Sequence, residues 1–189
     1  LLPPQSIPLK KPIGIALLAV VLLFIWFWNV KPLYLNEKIT YAKNLSSQAL
    51  CKKALAISNN IPWETTGILK PYAILLYSDI VTDCAFVEPE KEVEYSQKMV
   101  SLLKIATKIQ PTFSRTWLFM GSFTNVLAAR EKDEIKKKNL LAEAIEYFNK
   151  SLELSPQRQE VFGEMGKNYL IAEDYSSMET VSKECIAKD

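Results

Sequence analysis

Sixteen consecutive residues from Ile13 to Trp28, IGIALLAVVLLFIWFW, carry no formal charge and no strongly polar group. Asn29 and Val30 extend the run to eighteen. At about 1.5 Å per residue this makes roughly 27 Å of helix, near the hydrocarbon thickness of a bilayer. A run with no polar face cannot lie on the surface of a soluble domain, and a helix buried inside one is the weaker alternative. Lys10-Lys11 ahead of it would also suit a signal peptide, but the residues that follow, WFWNVKPLY, contain no small-x-small cleavage site. Residues 13–30 are therefore expected to form a transmembrane helix in the lipid bilayer, with residues 1–12 as a flanking loop. Pro12 suits the first turn, Lys31-Pro32 is expected to end the helix, and Trp26 and Trp28 fall at headgroup depth. Lys10 and Lys11 direct that flank to the cytoplasm and residues 32–189 away from it, a bias reduced by Lys31, Lys38 and Lys43 on the far side. The chain opens on Leu1 and not Met, which reads as a piece of something longer.

Residues 32–189 show little strict alternation and much i, i+3, i+4 apolar spacing, as in Met99, Leu102, Leu103 and Ala106. The expectation is an all-α body. It repeats with a period of 45 residues: Tyr72, Trp117 and Phe162; Leu75, Met120 and Met165; Val81, Val126 and Ile171. Met99 aligns with Ala144, Leu103 with Phe148, Ala106 with Ser151 and Pro111 with Pro156. Trp117, Met120 and Gly121 followed by Ala144, Phe148, Ser151 and Pro156 resemble the tetratricopeptide repeat, as do Phe162, Met165, Gly166 and Tyr169. That resemblance implies an α-solenoid of helical hairpins, each aromatic packing beside a small residue and each Gly permitting close helix approach. The period exceeds the usual 34 by eleven residues between Gly121 and Ala144, in longer helices or longer turns. HEAT-like pairs are the rival assignment. A further pair, Leu33–Leu45 and Ser47–Ser58, closed by Asn59-Asn60-Ile61-Pro62, would cap the membrane-proximal end.

Chemistry is constrained by what the chain lacks. Zero His removes the commonest general base and metal ligand, and three Cys without a C-x-x-C pair form no recognisable zinc or redox motif. Five scattered Gly spell neither a phosphate loop nor a dinucleotide fingerprint. No catalytic centre, metal or cofactor is expected in this stretch of chain. Residues 1–31 carry a net +3, leaving 20 basic against 21 acidic residues elsewhere, which is not the footprint of a nucleic-acid binder. Cys51, Cys84 and Cys185 read as small core residues; outside the cytoplasm one disulfide with a leftover thiol is the alternative, and the spacing selects no pair. Glu88-Pro89-Glu90-Lys91-Glu92 and Arg130–Lys138 read as solvated turns.

Stacked hairpins present the inner helix of each pair on a concave face, where such solenoids hold a peptide or partner helix. By repeat register Tyr77, Arg115, Ser122, Asn125 and Lys167 are the groove candidates, for a protein or peptide partner. The C-terminal helix, read as Glu179–Asp189, leaves Val181, Cys185 and Ile186 as an apolar stripe.

A membrane helix ending in aromatics, then Asn29-Val30-Lys31-Pro32-Leu33-Tyr34, Tyr41-Ala42, Ala54-Leu55-Ala56 and tetratricopeptide-like hairpins resembles the C-terminal part of the O-antigen ligase and polymerase family. Those are bacterial multi-span membrane glycosyltransferases. The resemblance implies an inner-membrane protein with an extracytoplasmic repeat tail, its catalytic basic residues upstream and matched by no position here. The alternative is a single-span membrane-anchored repeat scaffold or adaptor for protein assembly or secretion; an independent soluble enzyme ranks third.

Overall fold

A computed structural model describes residues 11–61 and 69–188. Residues 1–10 of the expected flanking loop, Pro62 and Asp189 lie outside them. The described chain is all-helical: α1 (Lys11–Ile25), α2 (Lys31–Ser47), α3 (Cys51–Asn59), α4 (Lys70–Val87), α5 (Glu92–Ile109), α6 (Ser114–Arg130), α7 (Glu134–Leu154), α8 (Gln159–Ile171) and α9 (Tyr175–Ile186).

The first helix does not end at Lys31-Pro32 as expected. A π-helical turn, Trp26–Val30, joins α1 to α2, and one helix runs from the apolar segment to Ser47. Proline lacks an N–H, and its ring crowds the carbonyl four residues back. Here the bonding changes register just before it, the Lys31 N–H reaching Trp26 O five residues back, so Pro32 is accommodated without a break. The helix Ile13–Ser47 is long and apolar enough to cross a membrane, and its apolar window is not covered by the rest of the chain. The four consecutive residues Val20, Val21, Leu22 and Leu23, a full helical turn, are each more than half exposed, so the apolar surface faces outward on every side.

The cap pair is also shifted. Ser47 belongs to α2, and the chain reverses at Gln48-Ala49-Leu50, where Ala49 is left-handed with φ 60° and the Leu50 N–H bonds Leu45 O at 2.9 Å. α2 buries Ile39, Ala42, Leu45 and Ser46. Each later helix packs on its chain neighbours, and α2, α4, α6 and α8 also pack on one another in that order.

The 45-residue period appears in backbone detail. After α5 the N–H groups of Gln110, Phe113 and Thr116 bond Ala106, Gln110 and Phe113 at 2.9, 3.3 and 3.0 Å. After α7 those of Ser155, Arg158 and Val161 bond Ser151, Ser155 and Arg158 at 2.9, 3.2 and 3.1 Å. Pro111 and Pro156 occupy the same place in these two turns, where a fixed φ and a missing donor fit. The eleven extra residues are in the helices: α6 has 17 residues and α7 has 21, with only 131–133 between them. α8 and α9 have 13 and 12. The charged stretch Arg130–Lys138 is thus mostly helix end, capped by Asp133, whose carboxylate accepts from the Ile135 and Lys136 N–H groups at 2.9 and 3.0 Å.

Among the described residues two apolar clusters form the core. The larger gathers α2 to α6 around Ile74, Ile80, Met99 and Leu103; the smaller joins Leu118, Phe148, Phe162, Met165 and Val181. Close approach through glycine holds at Gly121, where an added Cβ would fall 2.7 Å from Cδ1 of the buried Phe148 ring. It is not needed at Gly163 or Gly166, which face open space. The C-terminal helix begins earlier than expected, at Tyr175, and its stripe is split: Val181 is buried, Cys185 half-buried and Ile186 exposed.

Cys51 and Cys84 are buried, as read from the sequence, and they are also joined by a disulfide with Cα atoms 5.3 Å apart, leaving Cys185 free. The bridge ties the start of α3 to the last turns of α4.

Gly121→Ala should destabilise the fold by about 1–3 kcal/mol, because Phe148 has no room to retreat, whereas Gly166→Ala should be neutral or stabilising. Urea unfolding of both variants in one detergent checks the contrast. Replacing Cys51 and Cys84 together by Ser should cost roughly 3–4 kcal/mol for a loop of 33 residues, read as a lowered midpoint.

Candidate binding cleft

A cleft of about 370 Å³ opens between the faces of α4, α6 and α8, with α5 contributing Glu92 and Ser96. Three of the five groove candidates, Ser122, Asn125 and Lys167, line it. Its apolar wall is Phe86, Phe119, Phe123, Val126 and Ile171, and Phe86 is 85% exposed. Phe119 and Phe123 stack along α6 with centroids 6.3 Å apart. Charge at the rim is balanced: Arg130 pairs with Glu92 at 2.8 Å and Lys167 with Glu164 at 2.5 Å.

Repeat geometry explains which residues meet. Phe119 and Glu164, Ser122 and Lys167, and Val126 and Ile171 are each 45 residues apart, and all six line the cleft. The first unit departs from this register. Tyr77, the counterpart of Ser122, is 1% exposed and does not line the cleft. Its hydroxyl donates to Asn59 Oδ1 at 3.0 Å and accepts from Lys98 Nζ at 2.9 Å. α3 packs on α4, and Asn59 at the end of α3 meets the Tyr77 hydroxyl, so that face of α4 is buried and Thr82, Ala85 and Phe86 reach the cleft instead.

Arg115 lies beside the cleft. Its guanidinium stands 5.3 Å over the Phe119 ring and 3.6 Å from Asp79. Asp79 also accepts from Lys43 at 2.7 Å, so one carboxylate on α4 links α2 and α6. Asn125, though lining the cleft, is 3% exposed and mainly joins helices. Its amide donates to Glu164 O at 3.0 Å, and its oxygen accepts from Asn168 Nδ2 at 2.6 Å. Asn168 also donates to Leu141 O at 3.1 Å, tying α8 to α7. Ser122 donates to Leu118 O at 3.1 Å within its own helix.

Sequence reasoning missed Phe86, Phe119, Phe123, Glu92, Arg130 and Glu164. The period itself could have found Phe119 and Glu164, one turn before Ser122 and Lys167 on the same faces. Nothing local marks Phe86 as cleft-lining, because its role depends on how α4 is rotated.

Titratable groups outside the cleft are tuned by turns and caps. Hydrogen bonds from Lys91 and then Tyr95 hold the Glu88 carboxyl below the usual carboxylate range. Backbone N–H groups of Asp133 and Lys132 do the same for Glu131, and the Ser177 hydroxyl and N–H for Asp174. Burial, followed by a hydrogen bond to Glu88 or Glu143, pushes the Tyr95 and Tyr147 hydroxyls well up. Among the described residues no three His, Cys, Asp or Glu side chains group as a metal site. No protein-family model matches the chain, and no curated protein matches its sequence.

Asn168→Ala should cost about 1–3 kcal/mol, because the buried Asn125 oxygen loses its donor and the added bond to the Leu141 carbonyl goes with it. Arg115→Ala, which removes only a long exposed ion pair and a ring contact, should cost less than about 1 kcal/mol. Paired denaturation curves test the ordering.

Proposed function

We propose that this chain is a membrane-anchored helical-repeat interaction module. In this reading Ile13–Val30 crosses the bilayer, and α2 to α9 form a tetratricopeptide-like α-solenoid that holds a protein or peptide segment in its cleft. The carrying observation is that α4, α6 and α8, the first helices of successive hairpins, line one open cleft with an apolar wall and a charged rim. Their close mutual packing, where α3, α5 and α7 are linked through long side chains such as Lys98 to Asn59 and Lys104 to Glu143, supports a concave side at that row, since neighbours approach on the inside of a curve. A peptide helix or an extended segment fits such a surface, apolar side chains against Phe119 and Phe123 and polar groups toward Lys167 and Arg130.

The disulfide Cys51–Cys84 supports a body outside the cytoplasm, where thiols are oxidised, in agreement with the orientation read from Lys10 and Lys11. The layout and the Asn29–Tyr34 stretch support placing the module as the extracytoplasmic tail of an O-antigen ligase-like bacterial inner-membrane protein, with glycosyl transfer performed upstream. Many hydrophobic spans encoded ahead of Leu1 would fit that parent; a start codon just before Leu1 would leave the single-span adaptor.

A photo-reactive residue at Ser122 should give a specific adduct in native membranes, and one at Lys150 on α7 should not. Arg115→Glu with Lys167→Glu should abolish the adduct while the folded domain persists. Equal labelling at both positions, or an adduct indifferent to the double substitution, would remove the cleft assignment.

A further inference from the structure

Phe27, Lys31, Tyr34, Lys38 and Tyr41 follow one another at spacings of four, three, four and three residues along the single helix that leaves the apolar segment. That spacing puts them on one stripe, aromatic and cation alternating. Lys31 Nζ lies 5.7 Å from the Phe27 centroid and Lys38 Nζ 4.5 Å from the Tyr34 centroid. Tyr34 and Tyr41 are each 57% exposed, while the packing side of α2 is taken by Ile39, Ala42 and Ser46. Lys43, Arg115 and Arg130 further along the chain have carboxylate partners, whereas Lys136 and Lys138 at the start of α7 are, among the described residues, in no ion pair and have no aromatic ring beneath them. Among the described residues the contacts of Lys31 and Lys38 are with aromatic rings, not carboxylates.

We propose that this stripe binds the phosphate groups of anionic phospholipids in the leaflet from which the helix emerges, an inference that rests on residues 13–30 crossing the bilayer. The headgroup layer is about 5–8 Å thick on each side of the hydrocarbon. At about 1.5 Å per residue, Lys31 and Tyr34 lie within that layer, roughly 2 and 6 Å beyond Val30. Lys38, roughly 12 Å beyond, stands within about one Debye length of it. A phosphodiester oxygen can accept from an ammonium and from the neighbouring Tyr34 hydroxyl together; in phosphatidylcholine the same phosphate is offset by its own quaternary ammonium, so the uncompensated phosphate of an anionic lipid is the one two lysines favour. The rings keep the ammonium groups at the interface, where aromatic side chains themselves prefer to sit. Continuity with the apolar segment decides the occupant: the stripe begins inside it, so the lipid it would solvate is the partner at hand.

The test uses the full chain in bilayer nanodiscs of phosphatidylcholine alone or mixed equally with phosphatidylglycerol. Association of spin-labelled phosphatidylglycerol against spin-labelled phosphatidylcholine is the readout. The unaltered chain should select the anionic lipid, and Lys31→Gln with Lys38→Gln should lower that selectivity by about tenfold. The charge-matched Lys136→Gln with Lys138→Gln, at the start of α7, should leave it unchanged. No selectivity in the unaltered chain, an equal loss in the α7 variant, or abolition by inorganic phosphate under conditions where chloride of the same ionic strength leaves the selectivity intact would overturn the proposal. Tryptophan quenching by brominated acyl chains separates the two levels. Quenching without lipid selectivity sinks only the stripe, and absence of quenching sinks the membrane span on which it rests.

Discussion

Helix α6 is where the two apolar clusters meet. It gives Met120 and Phe123 to the larger and Leu118 to the smaller, and it packs on α4, α5, α7 and α8. Its fit against α7 depends on Gly121 lying flat against Phe148, since any side chain there would overlap the ring. Two buried polar contacts fix its position further. The Ser114 and Ser151 hydroxyls lie 2.9 Å apart and each is 3.0 Å from the other's backbone carbonyl, so their two protons are shared over three contacts, and Asn125 is held by α8. Buried polar groups are costly unless paired, so these contacts favour one relative placement of the helices over neighbouring ones. The cleft residues Phe119, Ser122 and Val126 stand on the same helix between those core contacts, so the cleft inherits its shape from the core.

A second constraint operates at the other end. The apolar segment and α2 are one helix, with a π turn absorbing Pro32. In the proposed setting the bilayer would therefore be coupled to the first hairpin by a rod and not by a flexible linker. From α2 the connection continues through Lys43, Asp79 and Arg115 to α6 and the cleft edge. Exposed pairs of this kind contribute about 0.2–1 kcal/mol, so they orient neighbouring helices more than they stabilise them. The disulfide, closing the chain between α3 and α4, reinforces the same region covalently.

The repeat was legible where each position has the same neighbours in every unit. Leu75, Met120 and Met165 are all buried, as are Met99 with Ala144 and Leu103 with Phe148, because the second helix of each pair meets the same surface each time. Register failed at Tyr77, whose neighbours differ: α3 is a short helix of nine residues, and Asn59 at its end meets a face of α4 that its counterparts on α6 and α8 leave toward the cleft. Periodicity assigns equivalence along the chain, not equivalence of surroundings, and the terminal unit is where the two part.

By itself the sequence determined the all-helical class, the apolar membrane-length segment, the 45-residue period and three residues of the cleft, since each follows from spacing between residues on one or two adjacent helices. Tertiary structure alone decided the pairing of Cys51 with Cys84, the rotation that exposes Phe86 and buries Tyr77, and the engagement of Asn125 between helices. It also decided that Pro32 is passed without a stop, because a single added residue in the helical turn relieves a clash that proline's local geometry alone would forbid. The first three depend on distances between segments far apart in the chain, and the fourth on a change of backbone register in an exposed stretch of helix, which residue types alone do not announce.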